Sequence, residues 1–590
     1  MMKNNWIRMG LILFALHGSI DSSAQLTGDF QSKNNTGNWS DYNAWNVFNG
    51  SSWIAATSAQ IPKATTNVFI LATHNMSVDN ASAVCNDLSV NGAATSKISF
   101  SSAAGILNIK GNMILATTSH NCFGTWVSGA KIVFSGTGIQ GFSNLSSTAV
   151  FLNMEVNKPS GTLSIATNIR FGAFTLSAGN FIVGSGNEIQ GNNGASTITI
   201  NGGTWTQIIS TTRIYNAAID KNAPIGNVEI NGGTMVLQTS TGTPGLNGFQ
   251  FSSINIINGG VLTLNAFGGN ITIANSLNLD QTSTLNIALD AIVLPPSVTF
   301  NGLVNFNRSG VQTIPATTYS YLKFSGNGVK TLGAGATTIP ANGTLEMSGV
   351  ATSPTLVAVG TLMVSPVGTK LIYSSAAVQT AKSTEWNPNF QNITVSNTMG
   401  VSMPNLSRTI QGSLNLVNGT FNIGDNGFLT LDSSPLTRVD GFLSGTNKSD
   451  FTLTGTTGGT IALPTVDNIS LRTLTVSGTR TLLMNGVHNI SLNGVCTIGA
   501  TATFDNGGES QFTYSGGSIA INGKFINRDK DNFTGLNGAI TTINPVLSVG
   551  SVIEYALTGN QVVSARADYQ NIVFSGSGIK TLANAFAPLK

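Results

Sequence analysis

Charged side chains are scarce in this sequence. They make up 9% of its 590 residues, 27 Lys and Arg against 24 Asp and Glu, where soluble domains average roughly a quarter. With 41% hydrophobic residues beside so few charges, the chain is no self-repelling disordered polymer. A formal net charge of +3 with no Lys/Arg cluster leaves nothing to track nucleic-acid phosphates. The four His (17, 74, 120 and 488) are dispersed and the acids mostly isolated, so no metal site, no cofactor and no catalytic residue is expected. Cys85, Cys122 and Cys496 are too few and too scattered for a disulfide framework or a zinc site. Each reads as a small core residue, with a Cys85–Cys122 bridge as the alternative in an oxidising compartment. No stretch keeps an apolar period of 3.6 over a dozen residues, which leaves almost no helix.

No apolar run reaches the ~20 residues of a membrane span, so no transmembrane segment is expected. The longest informative one is MGLILFAL, from Met9 to Leu16, preceded by Lys3 and Arg8 and followed by a polar stretch ending Ser22-Ser23-Ala24. A basic start, a short apolar run and small residues before the cut predict a secretory signal peptide over 1–24, cleaved between Ala24 and Gln25. The mature chain is then extracellular or held at the outer cell surface.

What is abundant is Gly (67 residues) among Ser, Thr and Asn. Short apolar strands run into Gly turns: Ile198-Thr199-Ile200 into Asn201-Gly202-Gly203, Val228-Glu229-Ile230 into Asn231-Gly232-Gly233, Ile254-Asn255-Ile256-Ile257 into Asn258-Gly259-Gly260. A recurrence of about 30 residues is that of a solenoid whose coils stack equivalent strands in parallel. The fold class predicted is all-β, a right-handed parallel β-helix (β-solenoid), the hand following the general rule for parallel crossovers. Coils of about 25 residues make on the order of 22 turns. A tandem array of β-sandwiches, with its ~90-residue units, is opposed by the uneven placement of Trp.

A longer motif overlies the coil. Val311-Gln312-Thr313-Ile314, then Tyr319, Leu322 and Phe324-Ser325-Gly326-Asn327-Gly328-Val329-Lys330-Thr331-Leu332, matches Asn560-Gln561-Val562-Val563, then Tyr569, Ile572 and Phe574-Ser575-Gly576-Ser577-Gly578-Ile579-Lys580-Thr581-Leu582. Looser copies surround Phe134-Ser135-Gly136 with Gln140 and Phe151, and Gln379 with Phe390, Ile393 and Val395. Alternation places the aromatic and aliphatic residues inward and leaves Lys330 and Lys580 solvated. This unit resembles the repeats of large adhesin-like surface proteins exported by the bacterial type IX secretion route. The stretch from Gly37-Asn38-Trp39-Ser40-Asp41 to Trp45, with Ile61-Pro62 and Val68-Phe69-Ile70, resembles their opening module. The resemblance implies a surface protein and names no activity. Such proteins usually finish with a β-sandwich sorting domain, whereas this sequence stops at Lys590, a few residues into a repeat; either it is a fragment or its export differs. The organisation expected is 1–24 signal peptide, 25–125 a Trp-containing β module capping the solenoid, and 126–590 solenoid repeats.

Among polar clusters, Arg528-Asp529-Lys530-Asp531 reads as a solvated loop. Gly424-Asp425-Asn426-Gly427 and Asp505-Asn506-Gly507-Gly508-Glu509 read as turns, since neither has calcium-loop spacing. Trp39, Trp45 and Trp53, with Asp41 among them, are the binding candidates: exposed indoles stack on sugar rings while a carboxylate takes hydroxyl hydrogen bonds. The competing and preferred assignment is a small aromatic core at the solenoid end. The functional expectation is a non-enzymatic, adhesin-like scaffold whose partners are glycans or host and cell-surface components, with a polysaccharide-binding or polysaccharide-degrading β-helix as the alternative.

Overall fold

The computed structural model describes residues 25–584, apart from 93–95, 118–122, 145–147, 185–186, 209–212, 220–222, 239–246, 266–269, 350–351, 353, 458, 465–468, 486–488, 509–510, 515–516 and 542. Ala24, the rest of the signal-peptide segment and Cys122 lie outside the described residues, and Gln25 is the first one inside them. The chain divides into two compact units, Met1–Asn255 with Phe267–Ala274, and Ile256–Ala266 with Asn275–Lys590. Parallel coils, about 20 turns in all, build a β-solenoid with 55% strand and 1% helix. Parallel pairing excludes the tandem sandwiches, whose sheets are antiparallel.

In the first unit a short antiparallel hairpin starts the fold. Phe30–Ser32 pairs with Trp45–Phe48, which pairs with Trp53–Ala55. Phe30–Ser32 also pairs in parallel with Val68–Ile70, so coil stacking begins there. From that point equivalent positions align coil on coil. One inward column runs Cys85, Ile109, Phe134, Val156, Leu176, Ile200, Ile230, and every member is fully buried. The alternation of inward Ile or Leu with outward Thr or Asn, as in Thr197–Ile200, produces this column, because successive side chains of a strand point to opposite faces. Each buried aliphatic side chain contributes about 1.5–3 kcal/mol. Cys85 sits in the column as a small apolar residue, and burial pushes its thiol well above the usual range.

The second unit repeats the design. Leu264, Ile287, Phe306, Phe324, Met347, Tyr373, Val395 and Leu416 form one inward column, and Leu429, Phe451, Leu474, Cys496 and Ile519 another. In the last described coil Phe574 and Leu582 are exposed, whereas Phe324 and Leu332, at the same places in the repeat, are covered by the coil that follows them.

Corners use positive φ where the sequence places Gly and Asn. Gly203 (φ 69°) turns against the carbonyl of Gly179 in the coil below, where an added Cβ would come within 2.1 Å. Asn258 (φ 54°) and Gly259 (φ 79°) make the equivalent turn with open space around Gly259. Asn231 Nδ2 donates to Asn201 Oδ1 at 3.3 Å, one step of an asparagine ladder along the corner.

Candidate functional site

The N-terminal hairpin sorts the three candidate tryptophans. Trp39 and Trp45 are buried, edge to face at 5.2 Å, and Trp45 Nε1 donates to the Trp39 carbonyl at 3.1 Å. They are core, with no face open to a sugar. Trp53 is half-buried and lies between Phe48 (5.3 Å) and Phe69 (6.0 Å), both half-buried as well, on the outer side of the hairpin. Asp41 is exposed but caps the 3₁₀ turn Tyr42–Ala44, its Oδ1 accepting from Asn43 N at 2.9 Å and Asn43 Nδ2 at 3.0 Å. The aromatic face is therefore Phe48–Trp53–Phe69. Sequence reading missed the two Phe because Phe48 reaches Trp53 through the hairpin register and Phe69 through the parallel stacking of Val68–Ile70 on Phe30–Ser32.

The outward positions of the second unit form a long polar column. Thr263, Asn286, Asn305, Lys323 and Glu346 are in register on successive coils, and Thr394, Asn415 and Thr437 continue the column beyond Ile372. Neighbours hydrogen-bond along it: Asn286 Nδ2 to Thr263 Oγ1 at 3.4 Å, Asn305 Nδ2 to Asn286 Oδ1 at 3.0 Å, Asn415 Nδ2 to Thr394 Oγ1 at 3.4 Å. Parallel stacking fixes the spacing at ~4.8 Å per coil.

Three largely covered glutamates are held in recurring three-coil staples. Glu155 is paired with Lys131 of the coil below (2.6 Å) and accepts from Ser177 Oγ of the coil above (2.7 Å). Glu346 is paired with Lys323 below (2.9 Å) and accepts from Ser374 Oγ above (2.5 Å) and from the Tyr321 hydroxyl. Glu554 is paired with Lys524 below and accepts from Ser575 Oγ above. The three carboxylates are 13, 8 and 13% exposed. Burial alone would raise the Glu346 carboxyl, but Ser374, Tyr321 and Lys323 together hold it below its usual range; Lys524 and Ser575 do the same against burial for Glu554. Asp505 and Glu554 share a column, and Arg528 bonds Asp505 at 2.9 Å.

No protein-family profile, curated protein or solved structure matches this chain. The chemistry is therefore read from the geometry. Among the described residues no group of three or more His, Cys, Asp or Glu comes together to hold a metal ion, and no helix is long and apolar enough to cross a membrane. His120 and His488 lie outside the described residues. Asp425, in one of the two turns with oxygen ligands, is paired with Lys448 at 3.1 Å.

Two expectations are corrected. Lys330 is not solvated but fully buried, its Nζ donating to Gln312 Oε1 at 3.0 Å and to the Arg308 carbonyl at 2.5 Å. Lys580 is half-buried in the same place, bonded to Gln561 Oε1 at 3.1 Å and the Leu557 carbonyl at 2.7 Å. Lys158 is a third copy, buried, with Gln140 Oε1 at 2.5 Å and the Gly136 carbonyl at 2.8 Å. In the fourth, Asn397 replaces the lysine and bonds Gln379 Oε1 and the Ala377 carbonyl, both at 2.8 Å. The glutamine amide in turn donates to carbonyls two residues apart on the coil below, Ile287 and Leu289 for Gln312, Asn527 and Asp529 for Gln561, Ile109 and Gly111 for Gln140. The charge of Lys330 predicted a solvated side chain, but Lys330 shares the inward face of strand Val329–Leu332 with Leu332, and the motif closes on itself through side chains that take the place of backbone ladder bonds. Burial, helped by nearby Arg308 and Lys110 respectively, pulls the Lys330 and Lys158 ammonium groups down to about 8.

The second correction concerns Arg528-Asp529-Lys530-Asp531. Lys530 is exposed, but Asp529 is buried and its carbonyl accepts from Gln561, so this stretch is the floor of a Gln motif and not a solvated loop.

Proposed function

We propose that this chain is exported and acts at the cell surface as an adhesin-like, non-enzymatic β-solenoid that presents long polar faces to glycans or other cell-surface components. The observation that carries this reading is the outward column of Thr and Asn held in register from Thr263 to Asn305 and again from Thr394 to Thr437, with Lys323, the covered Glu346 and Ile372 between the two runs. Groups repeated every ~4.8 Å suit a repetitive partner, whose weak contacts add by multivalency. The neutralised carboxylates support the absence of a catalytic centre: a general acid or base needs a carboxyl free to exchange its proton with substrate, and Glu155, Glu346 and Glu554 are each committed to a lysine and a serine. The resemblance of the Gln-Tyr-Phe-Ser-Gly repeat to type IX-exported surface proteins, and the signal-like segment 1–24, support the location.

A second reading, polysaccharide binding at the N-terminal end, is favoured by the half-exposed Phe48–Trp53–Phe69 face. A glycan array probed with the purified chain tests both. Binding that survives Trp53→Ala assigns the lateral faces, binding lost with it assigns the hairpin, and no binding at all counts against either. Release of sugars from common plant or bacterial polysaccharides would overturn the non-enzymatic reading. Mass spectrometry of the secreted product tests export, with Gln25 expected as the first residue.

A further inference from the structure

One wall of the second unit is interrupted. Strand Thr361–Val364 pairs with Ala336–Ile339 below, but residues 381–391 of the next coil form turns where a strand would continue the ladder. Side chains take over its hydrogen bonds. Asn387 Nδ2 donates to the Leu362 carbonyl at 3.1 Å and Asn389 Nδ2 to the Val364 carbonyl at 3.0 Å. From the coil above, the Arg408 guanidinium donates to the carbonyls of Asn387 and, at 2.6 Å, Phe390. The inserted turn is thus sewn in from both sides.

Within it, and from the coils on either side, comes a polar cluster that the fold does not satisfy. Tyr373, Glu385, Trp386 and Arg408 are each 3% exposed or less. The Trp386 ring is 6.2 Å from the Tyr373 ring, and the Arg408 guanidinium lies over Trp386 at 5.4 Å. Tyr373 feels the charge of both Glu385 and Arg408. Glu385 Oε1 accepts from the Lys382 N–H at 2.6 Å, yet Glu385 Oε2, Tyr373 Oη, Trp386 Nε1 and Arg408 Nε have no hydrogen-bond partner within the protein. An unsatisfied buried polar group is destabilising, and four in one place are a penalty that folded proteins relieve with internal water.

We infer that this cluster is a binding site for ordered internal water, which bridges the Glu385 carboxyl to the donors of Tyr373, Trp386 and Arg408 and fastens the inserted turn to the coils on either side. Water fits better than an anion. The site offers three donors, but also a carboxyl oxygen that needs a donor whenever it is ionised, and only a guest that both donates and accepts serves all four. Burial pushes the Glu385 carboxyl up to about 7, against the Lys382 N–H and ammonium, so the same water meets it in either protonation state near neutral pH.

A high-resolution crystal structure of the whole chain, native and bromide-soaked, tests the site. The expected result is a water peak within hydrogen-bond distance of Glu385 Oε2 and of at least one of the three donors, with no anomalous bromide signal. A bromide peak there, or the four atoms bonded to one another with no room between them, overturns the proposal. In solution, water-relaxation dispersion should lose long-lived water in Tyr373→Phe, which deletes one donor and keeps the ring. An unchanged count in a variant with a native far-UV spectrum overturns it too. Should that variant fail to fold, the wild-type crystal result decides alone.

Discussion

Lys330 donates to Gln312 across one coil boundary at 3.0 Å, and Gln312 passes the contact on to the Ile287 and Leu289 carbonyls at 2.7 and 2.9 Å. Strand Gln312–Ile314 pairs with the strand above it, Val329–Leu332, and below it the glutamine amide does what a backbone ladder does elsewhere. Four such units recur, and in each the glutamine and its cation or amide partner are 18 or 19 residues apart.

Gln312→Ala leaves the buried Lys330 with the Arg308 carbonyl alone and strips the Ile287 and Leu289 carbonyls of their donor, and should cost about 2–4 kcal/mol, whereas Lys330→Met removes the buried cation and should cost only about 1–2 kcal/mol. The double variant then costs less than the sum, a coupling of at least ~1 kcal/mol in a denaturant-midpoint cycle. Additive effects would show that the two side chains act independently.

The same lysine sets a pH dependence. Its folded pKa of about 8 lies below the ordinary lysine value, so the unfolded chain binds the extra proton between about 8 and 10.4. Wild type should therefore gain on Lys330→Met as pH rises through that window, by on the order of 2 kcal/mol. Comparing the two proteins cancels the tyrosines and cysteines that titrate nearby.

Glu385 has the opposite sign. With a folded pKa of about 7 against an unfolded value near 4.3, the folded state holds the proton longer. The stability this confers is complete below the unfolded value and is lost as pH rises through about 7. Relative to Glu385→Gln, wild type should weaken by on the order of 2–3 kcal/mol between pH 4.5 and 8. A flat difference in melting temperature over that range would show that the carboxyl is not titrating inside the fold.

Glu346 gives the usual carboxylate behaviour, since its folded pKa is depressed. Glu346→Gln should cost about 1–3 kcal/mol at neutral pH by removing the charge that Lys323, Tyr321 and Ser374 bind. The cost is present above the unfolded carboxyl pKa and fades as pH falls through the folded one, which acid-denaturation midpoints of the two proteins measure.

Gly203 and Gly259 are a matched pair, both at positive φ. Gly203→Ala brings a Cβ against the Gly179 carbonyl and should cost several kcal/mol, whereas Gly259→Ala meets nothing within 4 Å and should cost only about 1 kcal/mol of backbone strain. Equal losses in thermal unfolding would mean that strain and not coil-to-coil contact governs both corners.

The sequence by itself determined the architecture. Inward Ile, Leu and Val every second residue, closed by Asn-Gly and Gly-Gly turns at a coil-length recurrence, leave parallel stacking as the way to bury every apolar face, and that pattern is local enough to read without coordinates. It also placed Cys85 and Cys496 in the core. Tertiary structure alone decided which polar residues meet, because partners such as Lys323 and Glu346, or Lys131 and Glu155, are separated by a full coil whose length varies. Strand alternation says only inside or outside. The expectation of a solvated Lys330 followed its charge and not its place on the inward face of Val329–Leu332, and the grouping of Asp41 with three tryptophans did not foresee the hairpin, which leaves only Trp53 outside, beside Phe48 and Phe69. The repeat fixes each residue's place within its own coil, and stacking fixes its neighbours, which is where the chemistry of this molecule lies.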